Sequence, residues 1–247
     1  MVYITGDTHS EFERFSSRRF PQQKEMTRAD YLVICGDFGG VWDNSSQQRY
    51  WLDWLEQKPF TTLFVDGNHE NFDLLQQLPC REWQGGQVHV VRENILHLMR
   101  GEIFTFAGRS WFAMGGGASH DMPDGILDPE EPDFALKCRR LRRRRARFRV
   151  KGESWWPQEM PSQAEYSRAL ENLERAAWQV DCILTHCAPS RLLSQIDPAL
   201  SPDPLTDFLE DVDRRCRFEH WFFGHYHRDL VLENRYILQQ EGLYKLD

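Results

Sequence analysis

Five short segments of this chain carry carboxylate, amide and imidazole side chains of the kind that hold metal ions: Asp7 and His9 in GDTH, Asp37 in GDFGG, Asn68 and His69 in GNHE, His186 in THCAP, and His225 and His227 in GHYH. Each segment directly follows an apolar run, which places its donors at the end of a buried strand. In open α/β sheets ligands bind beyond the carboxyl ends of the strands, so donors far apart in sequence converge at one rim. Glycine directly precedes four of the groups, at Gly6, Gly36, Gly67 and Gly224, where it permits the sharp turn that aims a short side chain across the sheet edge. The chain has nine histidines, and His9, His69, His186, His225 and His227 all fall in these segments. A lone histidine, or a lone Gly-Asp after a strand, reads first as a cap or a core residue. Taken jointly the groups do not read that way, and a metal centre is expected.

The elements that must position these donors are legible as buried strands at Val2 to Thr5, Tyr31 to Cys35, Thr62 to Val65, Cys182 to Thr185 and Trp221 to Phe223. Between the early ones, Tyr50, Trp51, Trp54 and Leu55 recur at helical spacing, as do Phe72, Leu74, Leu75 and Leu78. Strand and helix therefore alternate. In the middle, Val88 to Val91, Ile95 to Met99, Ile103 to Ala107 and Trp111 to Met114 follow one another with short connections and predict a meander that adds a second sheet. The run Gly115-Gly116-Gly117 opens an irregular stretch. The segment QAEYSRALENLERAAWQ after Pro161 predicts a long helix over the sheet, and Pro204 to Cys216 another. The tail predicts two or three antiparallel strands with a turn at Glu233-Asn234. No internal repeat is visible.

A chain of 247 residues, 40% hydrophobic and 28% charged, is in the range of a single soluble α/β domain. No apolar run approaches the roughly 20 residues that cross a bilayer. The start, MVYITGDTHS, has no basic and apolar leader, so a cytoplasmic location is the default expectation. The six cysteines include no CxxC pair and are expected to be reduced thiols. A net charge of -8 argues against a surface given over wholly to nucleic acid.

In order, residue type and placement the segments from Asp7 to His227 resemble the calcineurin-like metallophosphoesterases, whose motifs run GDxH, GD, GNH[ED], a single histidine and GHxH. The resemblance implies a four-layer α/β/β/α sandwich and a two-metal site. It implies that Asp7, His9, Asp37 and His227 hold one ion and Asp37, Asn68, His186 and His225 the second, with Asp37 bridging. It implies hydrolysis of a phosphoric monoester or diester, with a hydroxide held between the metals as nucleophile and His69 assisting the leaving oxygen. Mixed imidazole and carboxylate donors suit Mn, Fe, Zn or Ni better than Mg. Glu70 is expected to support its loop. The protein serine/threonine phosphatases of this family read GDxxDRG at the second motif. Here Gly40 and Val41 occupy the later aspartate and arginine positions, which separates this chain from that branch. The stretches MGGGASHDM and GESWWPQEMPS look instead like a bacterial branch.

Several features have competing readings. The segment from Arg139 to Arg149 holds eight arginines behind the acidic DPEEPD, as a helical insertion at about 128–150. Phe134, Cys138, Leu141 and Phe148 share an a/d-like spacing, so a solvated face on an amphipathic helix is favoured over a nucleic-acid contact. Trp155 and Trp156 either line the pocket or pack the insertion, and packing is the stronger reading for Trp155. His120 and Asp121 border the site without a spacing that demands metal. Cys187 beside His186 needs no catalytic role. The rival to an enzyme is a non-catalytic protein or RNA interaction scaffold on the same fold.

Overall fold

The computed structural model describes residues 1–246. In chain order the strands are β1 (Val2–Thr5), β2 (Tyr31–Cys35), β3 (Thr61–Val65), β4 (Cys80–Trp83), β5 (Gly86–Arg92), β6 (Ile95–Leu98), β7 (Glu102–Phe106), β8 (Arg109–Met114), β9 (Ile126–Leu127), β10 (Arg149–Val150), β11 (Cys182–Thr185), β12 (His220–Phe223), β13 (Leu230–Leu232), β14 (Tyr236–Leu238) and β15 (Tyr244–Leu246). The helices are α1 (Ser46–Glu56), α2 (Phe72–Leu75), α3 (Phe134–Arg143), α4 (Gln163–Arg175), α5 (Ser190–Ile196) and α6 (Pro204–Arg215).

Strands β1, β2 and β3 are buried along their whole length, because neighbours cover both faces of the sheet they form. Val33, Leu63 and Val65 point to one side and meet Val88, Phe104, Trp111, Leu184 and Phe222 in a core between two sheets. Leu32, Ile34 and Phe64 point to the other, against Leu52 and Leu55 of α1 and Phe72 and Leu75 of α2. The second sheet repeats this logic: Phe112, Ile183, Trp221 and Phe223 turn outward onto Ala169 and Leu173 of α4, Leu192 of α5 and Leu209 of α6. The result is an α/β/β/α sandwich, as the family resemblance implies.

The first sheet runs β15-β1-β2-β3-β6-β5-β4 and the second β13-β14-β12-β11-β8-β7. In each a parallel centre is flanked by antiparallel edges. The carboxyl ends of β1, β2, β3, β11 and β12 therefore open on one rim.

Two expectations about the elements need correction. The meander is not a second sheet of its own: β5 and β6 extend the first sheet and β7 and β8 belong to the second. Alternating apolar runs set strand identity but not partner, and here β6 pairs with β3 while β8 pairs with β11. The chain crosses between sheets at Gly101, whose φ of 78° and close approach to the backbone of Ala169 exclude a side chain. In the tail, β13 and β14 form a hairpin turned at Glu233 and Asn234, both at positive φ. The third strand, β15, leaves them and pairs with β1.

The arginine-rich segment is helical only to Arg143. Cys138 and Leu141 of α3 are buried against Leu127, joined by Phe134, Ala146 and Phe148. Among the described residues no helix is long and apolar enough to cross a membrane, and all six cysteines are free.

Candidate metal centre

Asp7 follows β1, Asp37 follows β2, Asn68 and His69 follow β3, His186 follows β11, and His225 and His227 follow β12. The structure brings these side chains, with His9, into one cluster at the common rim. Asp7, His9 and His227 converge at the solvent-facing mouth, and Asp7, Asp37 and His186 converge in the buried floor. Asn68 and His225 join the floor: His186 Nε2 lies 3.1 Å from Asn68 Oδ1, 3.2 Å from His225 Nδ1 and 3.6 Å from Asp37 Oδ1. At the mouth His9 Nε2 is 3.6 Å from Asp37 Oδ2 and 3.8 Å from Asp7 Oδ2.

The glycines act differently from the sequence reading. Of the four that precede donor groups only Gly36 has a positive φ, 103°. Gly67 and Gly224 are glycine because there is no room: a Cβ would stand 2.1 Å from Asp37 Oδ1 at Gly67 and 2.2 Å from Asp7 Oδ1 at Gly224. A Cβ on Gly6 would strike the Gln239 carbonyl at 1.9 Å. The left-handed backbone falls on the donors themselves, at His9 (φ 44°), Asp37 (φ 46°), His225 (φ 70°) and His227 (φ 50°). Such conformations are disfavoured for residues with a Cβ and persist where surrounding structure enforces them, which is common at functional sites.

Main-chain groups then aim the side chains. His225 N–H donates to Asp7 Oδ1 at 2.9 Å and His69 N–H to Asp37 Oδ1 at 2.8 Å. His186 Nδ1 lies 2.8 Å from the Cys35 carbonyl oxygen. A carbonyl only accepts, so Nδ1 carries a proton, and in the neutral ring Nε2 presents a lone pair to the floor. That lone pair faces the Asn68 Oδ1 lone pairs at 3.1 Å, an arrangement that a cation between them relieves. Asp7 Oδ2 is likewise buried with no aligned donor, its nearest being His227 Nε2 at 3.2 Å. The residues present therefore fit a pair of cations.

Charge follows the same plan. Burial would raise the Asp7 carboxyl, yet His186, His227 and the His225 amide hold it well below the usual carboxylate range. Burial, with His186 alongside, pushes His225 far down, and burial also lowers His69, against the pull of Asp37. A neutral His225 keeps the lone pair that a metal needs, whereas the neighbouring Asp7 carboxylate raises His227.

Around this cluster several expectations can be placed. Glu70 is buried, and its carboxylate accepts the Phe38 N–H at 2.7 Å and the Gly39 N–H at 3.4 Å, holding the GDFGG loop. His69 packs edge-on to His9, with ring centroids 5.5 Å apart. His120 packs edge-on to His225 at 4.8 Å, and Asp121 pairs with Arg149, so the loop they share borders the site. Cys187 is buried, which pushes its thiol far up and keeps it from acting as a nucleophile. Of the two tryptophans it is Trp156, not Trp155, that is buried; its Nε1 donates to Asp73 Oδ2 at 2.8 Å and its ring meets Trp42. The ranking reversed because two adjacent tryptophans do not reveal from sequence which ring meets α2.

Sequence reasoning missed Asp66, Arg100, His97 and His89, which form one buried chain behind Asn68. Arg100 Nε donates to Asp66 Oδ2 at 2.9 Å, and His97 Nε2 lies 3.0 Å from Asp66 Oδ1. A second missed contact is the 3.1 Å hydrogen bond from Asn68 Nδ2 to Ser119 Oγ.

Comparison with known proteins agrees with this geometry. The calcineurin-like phosphoesterase profile matches residues 1–229, and the chain belongs to that family. Similar proteins include lariat debranching enzyme A of Xenopus laevis, 27% identical over 150 residues that cover 54% of this chain and 26% of that protein. The lariat debranching enzymes of Danio rerio and Homo sapiens are each 26% identical over 53% and 51% of this chain, and 25% of their own length. The matched stretch thus spans about a quarter of these relatives.

Proposed function

We propose that this chain hydrolyses a phosphoric ester with the help of two metal ions, the outer one held by Asp7, His9, Asp37 and His227 and the inner by Asp37, Asn68, His186 and His225. The observation that carries the proposal is the setting of Asp37. Its Oδ2 is 3.6 Å from His9 Nε2 and its Oδ1 is 3.6 Å from His186 Nε2, so one carboxylate faces both donor sets at once. Two ions there would lower the pKa of a shared water and neutralise charge building on the phosphoryl oxygens.

The chain's own residues do the rest. The Asp37 and Asp7 carboxylates, fixed by main-chain N–H groups, set the spacing of the centre. His69, at the mouth beside His9, supplies a proton or a hydrogen bond to the departing oxygen. With Gly40 and Val41 in the GDFGGV loop, that loop offers no guanidinium to the phosphate. A diester is the favoured substrate class, because the relatives found are debranching enzymes and a diester presents less charge to a site without that arginine. Donor chemistry favours Mn, Fe, Zn or Ni.

The test is to strip the protein with chelator and assay p-nitrophenyl phosphate and bis-p-nitrophenyl phosphate across a panel of added Mn, Fe, Zn and Ni. Restored turnover, faster on the diester, is expected. No turnover of either ester with any metal would overturn the proposal and leave the scaffold reading in its place.

A further inference from the structure

We infer that Ser119 and Glu159 are positioning residues that decide which end of the Asn68 amide faces the inner metal pocket. The inference rests on Asn68 being a metal ligand. A primary amide has an oxygen that can bind a cation and an NH2 that cannot, and the two have nearly the same shape, so an asparagine ligand needs a partner that tells them apart.

Here the partner is a one-way chain of hydrogen bonds. The Glu159 carboxylate accepts the Ser119 N–H on Oε1 at 3.0 Å and the Ser119 hydroxyl on Oε2 at 2.6 Å. With its only proton committed to Glu159, Ser119 Oγ can only accept from its other neighbour. That neighbour is Asn68 Nδ2 at 3.1 Å, and the amide oxygen is left facing His186 Nε2. Inverting the amide would set Asn68 Oδ1 against Ser119 Oγ with no proton between them, and aim an NH2 into the pocket.

The anchors of this chain are firm. Glu159 is 4% exposed, its main-chain oxygen accepts the Gly117 N–H at 3.0 Å, and the Arg100 guanidinium spans Asp66 and the Gln158 and Glu159 carbonyls. Ser119 and Glu159 come from MGGGASHDM and GESWWPQEMPS, the two stretches that stand outside the metal-donor motifs. Their meeting at Asn68 gives both a role: the first supplies the hydroxyl that reads the amide, the second the carboxylate that orients the hydroxyl.

The test uses the full chain with Ser119→Ala, Glu159→Gln and, as the conservative control, Ser119→Thr. Mn2+ binding to chelator-stripped protein is followed by calorimetry and metal content. Ser119→Ala and Glu159→Gln are expected to weaken the inner site roughly 10–100-fold while the outer site keeps its affinity, and Ser119→Thr to stay near the parent. A second readout needs no metal: the Asn68 side-chain NH2 resonances of the stripped, folded protein. They are expected to shift and exchange faster in Ser119→Ala. Unchanged NH2 resonances, or two sites of parental affinity in both variants, would overturn the inference. If the parent binds no metal while the NH2 signals respond as described, the hydrogen-bond chain stands and the functional reading is what fails.

Discussion

Asp37 is the residue on which both halves of the centre depend, since its two oxygens face His9 and His186 at 3.6 Å each. Asp37→Asn replaces one of those oxygens by a donor and removes the charge between the sites. Metal content is expected to fall towards zero and turnover with it; retention of two metals and full turnover in this variant would remove the bridging role. His69 touches neither donor set in this way. His69→Ala is therefore expected to leave metal content intact and to slow turnover about 10²–10⁴-fold, least for esters with good leaving groups. An equal loss for good and poor leaving groups would show that His69 does not serve the departing oxygen. The donors were readable in sequence because type, order and position after a strand coincide in GDTH, GDFGG, GNHE, THCAP and GHYH. Ser119, Glu159, Asp66 and Arg100 were not, because each is an ordinary polar residue whose meaning lies wholly in a partner distant along the chain.

Among the elements, the strand-end turns place the donors, and glycine there serves space as much as backbone freedom. Gly67→Ala would set a methyl 2.1 Å from Asp37 Oδ1 and 2.6 Å from its main-chain nitrogen, so Asp37 must move. The variant is expected to fold, with a far-ultraviolet spectrum like the parent, yet to bind metal more weakly; parental metal affinity would mean the turn yields without disturbing Asp37. The arginine-rich helix is a contrasting case. Its apolar positions Cys138 and Leu141 reach the cluster around Leu127, and Arg139, Arg140, Arg142 and Arg143 are exposed. Replacing these four by glutamine is expected to change stability by no more than about 0.5 kcal/mol each and to leave small-ester turnover unchanged. A salt-dependent loss of oligonucleotide binding in the same variant would instead reveal a phosphate contact. The spacing of Phe134, Cys138, Leu141 and Phe148 made the packing face legible, whereas sheet membership of the β5 to β8 run was not, because pairing with β3 and β11 is settled by the other side of the molecule.

At the scale of the whole molecule, the buried chain from His89 through His97 and Asp66 to Arg100 ties the first sheet to the segment that enters α4. Asp66 follows β3 of the first sheet, and Arg100 carries its charge on to the Gln158 carbonyl before α4. The proton placement follows from the acceptors. His97 Nε2–H donates to Asp66, and the facing Nδ1 atoms of His97 and His89, 2.9 Å apart, share one proton between them. Burial and the adjacent His97 push His89 down to about 4 from an ordinary 6.5. A histidine depressed in the folded state stabilises fully above its unfolded value, and that stability drains away as pH falls from 6.5 towards 4, because the unfolded chain takes up a proton the folded one refuses. Between pH 7 and pH 5 the chelator-stripped protein is expected to lose about 1–2 kcal/mol from this group. Urea unfolding at the two pH values measures it, with His89→Gln as the comparison: the parent should lose more on acidification than the variant. Equal losses would mean that His89 is protonated in the folded chain and that the tie from the first sheet to α4 does not depend on a neutral His89 imidazole.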